Sequence, residues 1–209
     1  MGHQPLSAAA AVKLLEFHRR YAADPDPAAA ANLVALVIAW NGPFYPIYVI
    51  ALIGWDGVPS LLTMLASPIF FAIPWLMRRN TLAGRAALPL VGTLNTFWSL
   101  ELLGPQTGID LFLLPSTVLT ALLFRRHERS AVLAVLALAL GAQFLPASTF
   151  GAPIATLAPD EAAQLAAFNL DSVLILLAFL AWQLAGVLGK IETGRAADPV
   201  GRVGTRRDG

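Results

Sequence analysis

Few residues in this chain are equipped for chemistry. The three histidines, His3, His18 and His127, all fall outside the long apolar runs, so none can serve as a base within one. There is no Gly-x-Ser-x-Gly nucleophile turn, no His-Glu-x-x-His zinc pair and no glycine-rich phosphate loop. Serines and threonines inside the runs have no base beside them to activate a hydroxyl. The chain has no cysteine, which excludes disulfides and thiolate metal sites. The expectation is a protein that is not an enzyme and carries neither metal nor cofactor.

What remains is a set of polar residues set into apolar sequence. Asn41-Gly42-Pro43, with Pro46 following, interrupts the first run. Proline removes a helix hydrogen bond and glycine weakens the turn, so a kink or break is expected there. Broken helices of this kind form transporter sites, although neighbouring helices also tolerate simple kinks. Asn95 falls near the middle of the third run. Glu101, Asp110, Gln143, Asn169 and Asp171 fall toward the same ends of their runs. With Trp98 and Tyr45, the residues Asn95, Glu101, Asp110, Gln143, Asn169 and Asp171 are candidates to line an outward-facing pocket for a small polar or cationic ligand, and Asn41 at the break in the first run is a further candidate ligand contact. The alternative is that they join helices to one another as interfacial polar glue.

The elements that must position these residues are set by composition. Hydrophobic residues make up 57% and charged residues 13% of the 209, against about 25% charged in a soluble domain. Six apolar stretches, at 31–54, 61–77, 86–103, 108–124, 130–147 and 168–189, each approach the roughly 17–25 residues that cross a bilayer as a helix. Backbone in hydrocarbon must bond internally, and the runs lack barrel-strand alternation, so helices are expected. All 14 basic residues lie in four regions: the N-terminal segment, Arg78–Arg85, Arg125–Arg129 and the stretch from Lys190 onward. The three alternate connections hold none. Under the positive-inside rule this predicts an all-α, polytopic integral membrane six-helix bundle with both termini cytoplasmic. Asp56, Glu101, Asp110, Asp160, Glu161 and Asp171 collect at the outer side, either because acids are indifferent to topology or because they form a cation-attracting vestibule.

The sequence divides into a cytoplasmic amphipathic segment (1–30), a six-helix domain (31–190) and a disordered cytoplasmic tail (191–209). Residues 7–22 are expected to lie as a helix on the membrane surface, and no cleavable signal peptide precedes the first run. Asp26 and Pro27 suit the start of the first membrane helix. Pro159, Asp160 and Glu161 suit the start of the last, outside the membrane. Arg78, Arg79, Arg125, Arg126 and Lys190 are the expected contacts to lipid headgroups or a cytoplasmic partner. Trp55 and Trp75 fall where interfacial anchors belong. Small residues recur every fourth position at Ala31, Ala35 and Ala39, and at Ala181, Ala185 and Gly189, a spacing that permits close helix packing within one subunit or across a homodimer. Nucleic acid is not an expected partner.

The stretch Pro74-Trp-Leu-Met-Arg-Arg-Asn-Thr-Leu-Ala-Gly-Arg85, the glycines Gly104 and Gly108 leading into an apolar span, and the closing Arg125-Arg126-His127-Glu128-Arg129 together resemble a known family. They are similar to the six-helix membrane-associated sensor regions of bacterial nucleotide cyclases and sensor kinases. The Pro159-Asp160-Glu161 entry with Asn169 adds to the likeness, which covers residues 30–190. It implies a non-enzymatic sensor or anchor domain of a bacterial inner membrane, one that binds a small ligand or lipid at the outer-leaflet polar cluster and signals to a cytoplasmic partner. In that family the last helix continues into a coil and an output domain, whereas this chain stops about twenty residues later, so cyclase activity does not carry over. The competing expectation is a small-solute transporter or a substrate-binding transport subunit.

Overall fold

A computed structural model of the chain describes residues 27–124, 128–145 and 151–196. The surface helix expected at 7–22, Asp26 as a cap, Arg125 and Arg126, and the tail beyond 196 lie outside the described residues. Within them the fold is all-helical. In chain order the elements are α1 (Pro27–Asn41), α2 (Phe44–Ile53), a 3-10 segment (Gly54–Ala66), α3 (Ser67–Arg79), α4 (Thr81–Leu103), two 3-10 turns (Pro105–Thr107 and Ile109–Phe112), α5 (Leu113–Leu123), α6 (Arg129–Gln143) and α7 (Pro159–Ala196).

The first expected span is made of two helices. The α1 hydrogen bonding closes at Gly42, whose N–H donates to Ile38 O at 2.9 Å. Pro43 then starts α2 without a donor of its own. At Gly54, which has φ +71°, the chain reverses. The reversal brings Gly57 against Val49, so a Cβ at Gly57 would stand 3.0 Å from the Val49 side chain, eight residues back. The second expected span is mixed for the same kind of reason. Its first part, holding Pro59, is wound as 3-10 helix, and only from Ser67 does α-helix resume. Thirteen residues of 3-10 winding is long for that geometry, whose hydrogen bonds are poorer than those of an α-helix. Two of the six stretches are thus divided at Gly-Pro or proline, and 108–124 is shared between a 3-10 turn and α5, whereas 86–103 and 168–189 each lie within a single α-helix, α4 and α7.

Tight connections fix the hairpins. Only Asn80 separates α3 from α4. It is extended, and its side-chain oxygen accepts from Ala83 N–H at 3.0 Å as an N-cap. Asn80→Ala is expected to cost about 1 kcal/mol, read as an earlier midpoint in detergent-micelle unfolding by SDS. Gly84 crosses so close to Met77 that a Cβ would lie 2.7 Å from the Met77 Cα, which no larger residue can occupy without moving the backbone. At the other end, α4 stops at Gly104 (φ +87°), and Gly108 (φ +68°) turns the chain back toward α5. A Cβ at Gly108 would also meet Ala166 of α7 at 3.4 Å, so this glycine both turns and lets α7 approach. The α7 start is as the sequence indicates. Pro159 is its first residue, and the Glu161 carboxylate accepts from Ala158 N–H at 2.8 Å, half of a capping box.

One end of the bundle packs Ala28, Met77, Leu123 and Leu180 in a shared core. Leu102, Leu103, Ile109 and Ala155 pack at the opposite end. Ala31, Ala35 and Ala39 are fully buried in the first of these cores, so that stripe packs within the subunit. Ala181 and Ala185, by contrast, are exposed.

The core is largely apolar but holds a set of hydroxyls, and large apolar residues also lie on the outside. Thr93, Thr96, Ser99, Ser116 and Thr120 are buried, while Leu94, Leu133, Leu174, Ile175 and Trp182 are exposed. Two stretches, Phe44–Arg79 and Pro159–Gln183, are long and apolar enough to cross a membrane. The first of them doubles back at Gly54. In the second only 22% of the apolar window is buried, far less than the core helix of a soluble protein would show.

Candidate functional site

A cavity of about 780 Å³ lies inside the bundle, walled by α1, α2, α3, α4, α5 and α7. That volume falls within the roughly 300–1,000 Å³ of small-molecule sites. The break between α1 and α2 is part of its wall: Asn41, Gly42 and Phe44 all line it. Gly42 is required there because a Cβ would run into the Ser67 hydroxyl of α3. Opposite, α4 contributes Gly92, Asn95, Thr96 and Ser99, and α5 contributes Ser116. Gly92 brings these two helices together, since a Cβ on it would be 2.9 Å from Ser116 Oγ.

The mouth of the cavity is lateral. Its exposed lining residues belong to α1 and α2 on one lip (Val37, Trp40, Asn41, Phe44, Tyr48) and to α7 on the other (Ile175, 71% exposed). Trp40 is braced edge-on by Phe71 at 5.6 Å. Tyr45 and Tyr48 approach Phe168 with ring centroids about 6 Å apart, closing the gap between the lips toward the acidic end. Depth follows from helix rise. Asn95 is ten residues from Arg85 and six from Glu101, or about 15 Å and 9 Å along α4 at 1.5 Å per residue.

The candidates from sequence do not converge. Asn41, Asn95 and Tyr45 line the cavity. Asn169 is fully buried beside it, with both ends of its amide engaged: Oδ1 accepts from Tyr45 OH at 3.1 Å and Nδ2 donates to Thr107 O at 2.8 Å. It joins α2, α7 and the Pro105–Thr107 turn, and Thr107 in turn donates to Gly104 O at 2.6 Å. Trp98 is outside the cavity, its indole N–H donating to Leu62 O at 3.1 Å. Glu101 is half-buried, its carboxylate near Gly151 and its carbonyl accepting from Ile154 N–H at 3.2 Å. Asp110 and Asp171 are exposed and do not line the cavity. Asp171 shares the helical stripe of Phe168 and Ile175, which places it at the rim of the mouth.

Sequence reading missed the hydroxyls. Thr96 Oγ1 donates to Gly92 O at 3.0 Å, Ser99 Oγ to Asn95 O at 2.8 Å, Ser116 Oγ to Phe112 O at 3.3 Å and Ser172 Oγ to Phe168 O at 2.8 Å. Each satisfies itself on its own helix, which is how a hydroxyl tolerates an apolar setting. Their clustering on α4 and α5 is the signal a helical projection would have found. Asn95 Oδ1 differs: it is buried and has no partner.

The basic candidates lie at the far end. Arg78 and Arg79 are exposed, and Arg79 stacks over Trp75 at 4.6 Å. Lys190 is on the last turns of α7. Arg85, expected to be one more flanking charge, is instead buried. Its guanidinium makes a bidentate pair with Glu128 (2.6 and 2.8 Å), donates to Leu123 O at 2.8 Å and to Thr81 O at 3.2 Å, and so ties the start of α4 to the end of α5. Among the described residues no group of three His, Asp or Glu side chains is placed to hold a metal ion.

Comparison with protein-family models, with curated proteins and with solved structures finds no match for this chain.

Proposed function

We propose that this chain is a six-pass integral membrane protein, both termini cytoplasmic, that acts as a non-enzymatic sensor of a small ligand taken from the bilayer. The observation that carries this reading is the cavity itself, which is largely apolar with hydroxyls and amides set into it and opens between α1, α2 and α7 at a mouth rimmed mostly by exposed apolar residues. Such a rim is costly in water and costs nothing in lipid, from which the cavity can be filled.

Other observations support the topology. Arg78, Arg79, Arg85, Arg129, Lys190 and Arg195 occur at one end of the helices, and Asp56, Glu101, Asp110, Asp160 and Glu161 at the other. Exposed Trp55 and Trp75 sit toward opposite ends, as interfacial anchors do. Helix α7 supports signalling. It lines the cavity from Phe168 to Phe179 and then continues to Ala196. Its 38 residues span about 57 Å, against a hydrocarbon core of about 30 Å. A ligand that binds two settings of α7 unequally would thereby move its cytoplasmic end. This agrees with the resemblance to membrane sensor regions, with lipid and a cytoplasmic partner or second copy as contacts.

One observation favours transport instead: the broken first pass lines the cavity, an arrangement used by carriers. The two readings share the site and differ in whether the ligand crosses.

The test is native mass spectrometry of the full chain released from nanodiscs made with lipid extract. Wild-type protein should carry a bound small molecule. Ile175→Trp, which blocks the mouth from an exposed position, should lose it, as should Ser172→Phe inside the cavity. A wild-type protein free of any adduct, or an adduct retained by both variants, would overturn the reading. A spin label at Lys190 that responds to occupancy would favour sensing, and accumulation of the molecule inside proteoliposomes would favour transport.

A further inference from the structure

Resting on that reading of the cavity, we infer that its occupant is an uncharged amphipath with a hydrogen-bond-donating head, of the long-chain alcohol class, seated with the head against Asn95 and Ser99 and the tail toward the lateral mouth.

The argument begins with charge. Among the described residues lining the cavity there is no Asp, Glu, Lys, Arg or His. An ionised head in a site at this depth would lack a counter-charge and lose most of its hydration. The occupant is therefore neutral where it is buried.

The second step concerns which way the hydrogen bonds run. A hydroxyl has one proton and two lone pairs. The protons of Thr96, Ser99, Ser116 and Ser172 are already given to carbonyls one turn back. Tyr45 gives its proton to Asn169, and Thr63 gives its own to Ser60 O at 2.7 Å. What these groups still offer is lone pairs. Asn95 Oδ1 is itself sealed from the cavity, so what the Asn95 side chain can offer there is its amide N–H. The α4–α5 wall thus presents hydroxyl lone pairs beside an amide donor, and a hydroxyl head, which donates and accepts at one atom, complements both. Asn41 and Ser67 complete the polar lining at the α1–α2 break.

The third step places the tail. Away from this wall the lining is apolar and aromatic: Val37, Trp40, Phe44, Phe168, Ile175 and Phe179 lead out to the lips. A hydrocarbon tail lying there passes from protein to lipid without crossing water. The head, near the middle of α4, would be reached from within the bilayer.

The test compares three probes of one chain length, 1-dodecanol, dodecyl methyl ether and dodecylammonium, added at controlled mole fraction to nanodiscs holding the full chain, with occupancy read by native mass spectrometry. The ether keeps the oxygen and loses only the donor. Dodecanol should half-fill the site at about a ten-fold lower mole fraction than the ether, the value of one neutral hydrogen bond. Ser99→Ala, which removes a hydroxyl acceptor, should narrow that preference by weakening the alcohol alone. Asn95→Leu should weaken alcohol and ether together, since the amide N–H can donate to either oxygen. Equal occupancy by alcohol and ether, or tighter binding of dodecylammonium, would overturn the inference; if Ile175→Trp still blocked the bound probe, the cavity reading would stand. Probe binding that Ile175→Trp leaves untouched, or no binding by any probe, would sink the cavity reading as well.

Discussion

Glu128→Gln is expected to destabilise the bundle by about 3–5 kcal/mol, the cost of leaving a buried partner charge unpaired. Arg85 is 4% exposed and Glu128 12% exposed at the side chain, and their two contacts of 2.6 and 2.8 Å have the parallel geometry of a bidentate pair. Glutamine keeps the shape and one acceptor oxygen but removes the charge and turns the second oxygen into an NH2 donor facing the guanidinium, so the bidentate pair is lost and the Arg85 charge is left with neutral acceptors only. The double variant Arg85→Met with Glu128→Leu should recover most of the loss, because removing both charges also removes their desolvation. Arg79→Ala is the contrasting case: its guanidinium is exposed over Trp75, and losing it should cost well under 1 kcal/mol. SDS titration in mixed micelles, followed by circular dichroism, reads all four proteins. A Glu128→Gln midpoint equal to that of wild type would remove the pair from the account of stability.

Asn169→Leu is expected to cost about 2 kcal/mol in the same titration. The substitution strands the Thr107 carbonyl and the Tyr45 hydroxyl, both brought to Asn169 by the turn between Gly104 and Gly108. Tyr45→Phe removes one of the two bonds and leaves only one Asn169 acceptor free, so its cost should be smaller, about 1 kcal/mol. The pair of variants separates a structural clamp from a ligand contact. A clamp predicts lost stability in ligand-free protein for both; a ligand contact predicts unchanged stability and lost binding.

These two clusters show where sequence was legible and where it was not. The breaks at Gly42-Pro43 and at Pro159 could be read from local chemistry, because proline and capping residues act within one turn of themselves. The end-to-end charge asymmetry was legible for a similar reason, being a property of composition along the chain. The Arg85–Glu128 pair was not, since its members stand 43 residues apart and Arg85 looks like one more basic flank. Asn169 was noticed as a polar residue in an apolar run, yet its partners include a carbonyl of a turn whose position only the fold defines. Asn41 and Asn95 were noticed for the same reason and do line the cavity. The 3-10 winding of Gly54–Ala66 escaped, because its apolar residues match an α-helical run and periodicity alone does not separate the two.

The central claim, a bundle that spans the bilayer with its cavity open to lipid, is tested most directly by cysteine accessibility, for which a sequence without cysteine offers a clean background. Single replacements at Asp56 and Gln106, Thr81, and Ile175 would be treated with a membrane-impermeant maleimide in intact cells and again after permeabilisation. The account predicts labelling at Asp56→Cys and Gln106→Cys in intact cells, at Thr81→Cys only after permeabilisation, and at Ile175→Cys in neither. Labelling of Ile175→Cys from water, or labelling of Thr81→Cys from the same side as Asp56→Cys, would contradict it.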